Sequence, residues 1–234
     1  MKLENVNYSR VAIIFFAQSE YRKIITKPIL FCKRKNVALW RKMTERSFLE
    51  IKKTKLPIFI YDETCQKGKT FGDKLSTAVN FIFANGYDKV VIIGNYCPKL
   101  SHKNLLNAAT KLKTRNSVLG ADFNGGIYLI GVLKATLNTK VFSSISWQTI
   151  TVCRDLKLLF NTERCIILPR LSDFNCTSDL KNFLKNLTFS ASLKNLLMSL
   201  TTEIKATKDN LFFLQHMNLL IVIITKVHLN FQEF

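Results

Sequence analysis

The sequence predicts an α/β fold, a mostly parallel sheet with helices on both faces, and three observations carry that prediction. Short apolar runs rich in branched and aromatic residues recur, as at Val11–Phe16 and Lys89–Ile93; runs this continuous fit strands buried on both faces. Between them lie stretches whose apolar residues follow helical spacing. Glycine, proline and capping residues separate the two kinds of stretch. Ligands on such sheets bind outside the carboxyl ends of the strands, so the loops after strands matter most.

Taken in order, Val11–Phe16 reads as a central strand. Residues 36–53 carry Leu39, Met43, Phe48 and Ile51 among charges, a helix, and Leu56-Pro57 breaks the chain before a strand over 58–61. Over 72–85, Leu75, Val79, Ile82 and Phe83 make a helical stripe, and Gly86 supplies the left-handed residue that commonly ends a helix. A strand follows at Lys89–Ile93. Ser101 can cap a helix that turns Leu105, Leu106, Ala109 and Leu112 inward, ahead of the apolar pair Val118-Leu119. The break at Asn124-Gly125-Gly126 precedes a strand over 127–132. Ser146 can cap a helix holding Ile150, Cys153, Leu156 and Leu159, a strand follows at 165–168, and Thr177 can cap a helix over 178–187. Residues 1–187 are expected to form the main domain and residues 188–234 a helical appendage.

The totals narrow the function classes. A chain of 234 residues with 47% apolar content supports one core of its own. Lysine and arginine outnumber acids by 35 to 16, a formal charge of +19 that attracts nucleotides or an anionic membrane surface but also suits a solvated lysine-rich surface. The basic residues are scattered, without an arginine-rich arm or an aromatic-studded basic strand, which argues against sequence-specific nucleic-acid binding. Six cysteines without a Cys-x-x-Cys pair, and histidines only at 102, 216 and 228, argue against a zinc site. The first residues lack a secretory pattern, so the expected compartment is the cytoplasm, with reduced thiols. The apolar stretch 211–225 is shorter than the about 20 residues needed to span a bilayer, and is expected to be buried or interfacial.

Three loops stand out. Gln66-Lys67-Gly68-Lys69-Thr70-Phe71-Gly72 opens a helix, Gly94-Asn95-Tyr96-Cys97-Pro98 follows the strongest strand, and Asn124-Gly125-Gly126 lies at a second break. Glycines there let backbone and exposed amides approach a phosphate or sugar, and the same residues also serve as plain turns.

In order and spacing these loops resemble a bacterial family of uncharacterised glycosyltransferase-A-like proteins, of the nucleotide-diphospho-sugar transferase fold. The likeness includes the run from Leu119 through Asp122, Asn124, Gly125 and Gly126 to Gly131, the pair Ser146-Trp147, and the segment Leu168-Pro169-Arg170-Leu171-Ser172-Asp173-Phe174-Asn175. It covers roughly residues 11–187. The resemblance implies substrate contacts at Gln66, Gly68, Gly94, Asn95, Tyr96, Pro98, Asn124, Gly125 and Gly126. Two departures matter: Tyr96 and Asn124 stand where the family places acids. Carboxylates hold Mg²⁺ or Mn²⁺ on a nucleotide diphosphate, and neither substitute carries that charge, so no metal ligands are expected.

Asp122 and Asp173 remain as candidate catalytic acids, although either can equally cap a turn or helix. Lys23, Lys27 and Lys69 lie near loops that could face a diphosphate, and a cationic side chain can stabilise a leaving phosphate without metal. The reading is a glycosyltransferase-like protein that binds a nucleotide sugar, with impaired or metal-independent catalysis and an acceptor invisible in the sequence. Two alternatives stay open: a non-catalytic nucleotide-sugar-binding or interaction protein, and a nucleotidyltransferase.

Overall fold

The computed structural model describes residues 10–112, 116–185, 195, 198 and 199. Contacts divide the chain into two compact units, Met1–Lys181 and Asn182–Phe234. The first holds six strands, β1 (Val11–Phe16), β2 (Ile58–Tyr61), β3 (Lys89–Ile93), β4 (Ser117–Ala121), β5 (Ile127–Leu133) and β6 (Cys165–Leu168). Its helices are α1 (Glu20–Thr26), α2 (Lys33–Lys53), α3 (Phe71–Ala84), α4 (His102–Lys111), α5 (Thr139–Ser143) and α6 (Val152–Leu159), and α7 (Thr177–Lys185) begins in it. Little of the expected appendage 188–234, and none of the stretch 211–225, falls within the described residues. No described helix is long and apolar enough to cross a membrane.

The strands form one sheet in the order β2-β1-β3-β5-β4-β6. Five run in the same direction; β5 alone is reversed, antiparallel to both β3 and β4. Chain length explains the exception. Only residues 122–126 separate β4 from β5, whereas a parallel return needs a crossover of a dozen or more residues.

Alternation along β1 divides the core. Ile13 and Phe15 pack on one face with Ile51 of α2 and Leu105 and Ala108 of α4, while Ala12, Ile14 and Phe16 pack on the other with Leu75, Val79 and Ile82 of α3. Phe142 of α5 and Leu156 of α6 complete the second layer. Helices therefore cover both faces, and each fully buried Ile, Leu or Val contributes about 1.5–3 kcal/mol.

The helix starts show how far capping signals reach. Ser101 caps α4 in a reciprocal box with Asn104, as its sequence suggests, and Thr70 and Asp73 form the same box on α3. Gly86 ends α3 with φ of +89°. Ser146 does not cap α6: the helix begins at Val152, Ile150 lies outside it, and the Ser146 carbonyl instead accepts a bond from the Thr149 hydroxyl. Thr177 is likewise inside α7, with its hydroxyl donating to the Ile29 carbonyl. Asp179 takes the capping role by accepting from the Asn175 and Cys176 amides.

Candidate functional site

Because β1, β2, β3, β4 and β6 point the same way, the loops that follow them gather on one rim of the sheet. The loops at 94–98 and 124–126 both lie there, and a cavity of about 620 Å³ opens between these loops, α1 and the segment after β6.

Helix α1 and the residue that ends it supply two cations, Lys23 within the helix and Lys27 at its C-cap. The helix is held by Ser19, whose backbone N–H and hydroxyl both donate to the Glu63 carboxylate, and by the Trp40 indole, which donates to the Lys27 carbonyl at 3.2 Å. The Lys23 side chain passes almost entirely out of solvent, at 1% exposure.

Both lysines converge on Tyr96. The Lys23 Nζ is 3.4 Å from the Tyr96 ring centre and the Lys27 Nζ 3.9 Å, while Trp40 meets the same ring edge-on with centres 5.5 Å apart. Lys27 also donates to Asn175 Oδ1 at 2.6 Å. Burial, with the neighbouring Lys27 charge, lowers the Lys23 pKa to about 7 against the opposing pull of Glu63. Burial lowers Lys27 as well, with Asp173, Asp179 and Asp122 resisting. An aromatic face stabilises a desolvated ammonium by about 2 kcal/mol, which offsets part of that burial.

The two acids differ. Asp122 turns one oxygen inward, where Oδ1 accepts from the amides of Asn124 at 2.8 Å and Gly126 at 2.6 Å, so it organises the β4–β5 loop. Asp173 is buried, and its Oδ1 has no hydrogen-bond partner. Burial and the nearby Asp122 charge raise its pKa to about 7, against the pull of Lys27 and Cys97. It is drawn to the site by the Phe174 amide, which donates to the Tyr96 carbonyl at 2.9 Å.

The cavity thus brings together Gln66, Gly94, Tyr96, Asp122, Asn124, Gly126 and Asp173 of the residues expected from sequence, with Lys23 and Lys27. Others do not line it. Asn95 is buried and donates to Thr44 Oγ1 at 2.9 Å; the Pro98 carbonyl accepts from Arg46 Nε at 2.6 Å. Gly68 presses against the start of α3, where a Cβ would come within 2.7 Å of Asp73 Cβ and the Lys74 amide nitrogen, and Gly125 presses against residue 150. Lys69 is exposed outside the cavity. Lys74, Trp147, Thr149 and Asn175 line it without having been expected as contacts. Trp147 and Asn175 belong to segments already singled out in the sequence, and Lys74 stands one turn into the helix that the Gln66–Gly72 loop opens.

The residues present do not fit a hard divalent cation. Among the described residues no three acids, histidines or cysteines converge. Two ammoniums stand over the ring at position 96, Asp122 spends one oxygen on amides, and the Asp173 carboxyl holds its proton up to about pH 7.

Comparison with known proteins agrees with the architecture. Residues 53–149 match the family described as "Uncharacterized protein conserved in bacteria (DUF2064)". No curated protein matches the chain in sequence. A crystal structure from Desulfovibrio desulfuricans G20, described as a "putative nucleotide-diphospho-sugar transferase", is similar with a TM-score of 0.71 at 21% identity, over 85% of this chain and 96% of that one. A cytidylyltransferase from Leptospira borgpetersenii matches more distantly, with a TM-score of 0.46 at 13% identity, over 86% of this chain and 95% of that one. Residues 53–149 thus resemble that bacterial family, and the chain shares the α/β fold of the Desulfovibrio structure.

Proposed function

We propose that the protein binds a nucleotide sugar at the C-terminal rim of the sheet and transfers the sugar without a divalent metal. One observation carries this reading: two lysine ammoniums converge on the Tyr96 ring at the cavity. Protonated together, they carry the formal charge of one divalent cation and offer donors to a diphosphate.

In this scheme an acceptor hydroxyl oxygen bonds to the anomeric carbon as the bond from that carbon to the diphosphate oxygen breaks. The electron pair leaves with the nucleoside diphosphate, which Lys23 and Lys27 stabilise. Asp173, with a carboxyl poised at about 7, takes the hydroxyl proton.

A non-catalytic nucleotide-sugar binder is the second reading, favoured by Asp122, whose Oδ1 is already committed to two amides. Titration with a panel of nucleotide sugars in chelator, followed by product analysis with candidate acceptors, separates the two. Sugar release onto an acceptor supports transfer; binding without product supports the second reading; failure to bind any nucleotide sugar contradicts both.

A further inference from the structure

A second cavity, of about 360 Å³, lies on the other side of the β4–β5 loop. Asp122 and Ile150 line both cavities. The partition is thin, because a Cβ added to Gly125 would stand 2.3 Å from the Ile150 carbonyl oxygen, so the loop tip already rests on that backbone.

The wall chemistry differs from that of the first cavity. Arg154 and Lys157 reach it from α6, where spacing of three places them on one face, and Arg170 reaches it from the end of β6. The side chains of Lys157 and Arg170 make no hydrogen bond or ion pair with a described residue, and that of Arg154 pairs only with its neighbour Asp155 at 3.3 Å. Asp122 is the one acid in the wall. Beside these cations, Ile150 and Leu158 are 81% and 69% exposed, large aliphatic groups turned to solvent at the cavity. Three cations beside exposed aliphatic surface suit a ligand with an anionic group on a partly apolar body, such as a sugar ring with its C–H face.

We propose that this cavity is the acceptor subsite, and that the acceptor is a sugar-like molecule bearing a phosphate or carboxylate group. The assignment rests on the transferase reading above, since the acceptor must approach the donor sugar at this rim. The anionic group is held by Arg154, Lys157 and Arg170, and the ring lies toward Ile150, where the two cavities adjoin.

The test titrates the full chain with glucose 6-phosphate, glucuronate and glucose, each with and without saturating UDP. The expected result is binding of one or both anionic sugars but not glucose, without displacement of UDP; the preference between the two identifies the phosphate or the carboxylate. In Arg154→Gln/Lys157→Gln/Arg170→Gln, anionic-sugar affinity falls at least tenfold while UDP affinity is unchanged. Leu158→Glu, a single exposed change that adds a negative charge at the cavity, gives the same direction if the triple variant fails to fold. The proposal is overturned if neither anionic sugar binds the parent, if binding competes with UDP, or if the folded variants bind as the parent does. Absence of binding to every member of a nucleoside diphosphate panel (UDP, GDP, ADP, CDP, dTDP), with intact anionic-sugar binding, would instead remove the transferase reading and leave the anion site standing.

Discussion

The Lys23 ammonium lies 3.4 Å from the centre of the Tyr96 ring, enclosed so that the side chain is 1% exposed. A buried lysine is costly unless something replaces its water, and here the ring face does so in part. Tyr96 is thus the support for the cations of the site.

Tyr96→Phe keeps that ring face and is expected to leave stability and nucleotide-sugar affinity near those of the parent. Tyr96→Leu removes the aromatic face and its edge contact with Trp40, and is expected to lower stability by about 1–3 kcal/mol in urea unfolding. Equal losses for both variants would mean that the hydroxyl, and not the ring, matters.

Lys23 has a folded-state pKa lowered to about 7, so between about 7 and its ordinary value the unfolded chain binds the extra proton and folding stability rises with pH. Ligand binding has the opposite sign: a diphosphate favours the charged ammonium and draws a proton in. UDP-glucose, whose phosphates do not titrate in this range, is expected to bind up to about tenfold more weakly per pH unit above 7. Calorimetry in buffers of different ionisation enthalpy should record proton uptake at pH 7.5. Proton release would reverse the assignment.

Much of this arrangement was legible in the sequence, and the remainder has physical reasons for being hidden. The strands Val11–Phe16 and Lys89–Ile93 were plain because apolar runs of that length have few other uses, and Ser101 and Gly86 marked helix ends by local chemistry. The reversal of β5 followed from a short loop that apolar patterning does not encode. Ser146 and Thr177 failed as caps because a serine or threonine near a helix start has other partners to choose from. Lys23 and Lys27 could be noticed as lysines near a loop, but their convergence on Tyr96 is tertiary, created by α1 folding back against Trp40.

Asp173 has a folded pKa raised to about 7. Its stabilising contribution is present in full below the unfolded value near 3.8 and is lost as pH rises through about 7. Asp173→Asn lacks this term, so between pH 5 and pH 8 its stability should gain on the parent by roughly 1–3 kcal/mol in paired denaturation curves. Transfer should fall about 10²–10⁴-fold, with nucleotide-sugar affinity little changed. Undiminished transfer would show that another group takes the proton.

Gly72 sits in the first turn of α3, where an added Cβ would come within 1.9 Å of the Ser143 carbonyl oxygen of the α5 region. The Ser143 backbone and the packed Trp147 ring, whose Cδ1 would lie 2.8 Å away, leave no flexible side-chain end to yield. Gly72→Ala is expected to destabilise by about 1–3 kcal/mol despite alanine's better helix propensity. An unchanged melting temperature would show that α5 moves aside freely.

The central claim is that Lys23 and Lys27 supply the positive charge for the diphosphate in place of a metal. It is tested most directly by titrating UDP-glucose at pH 7 in EDTA and again in Mn²⁺, for the parent and for Lys23→Met and Lys27→Met. The account predicts that the parent binds equally in both conditions and that each methionine variant, with the bulk of the side chain kept, loses tenfold or more in EDTA. Binding that requires Mn²⁺ in the parent, or that survives both lysine replacements, would contradict it.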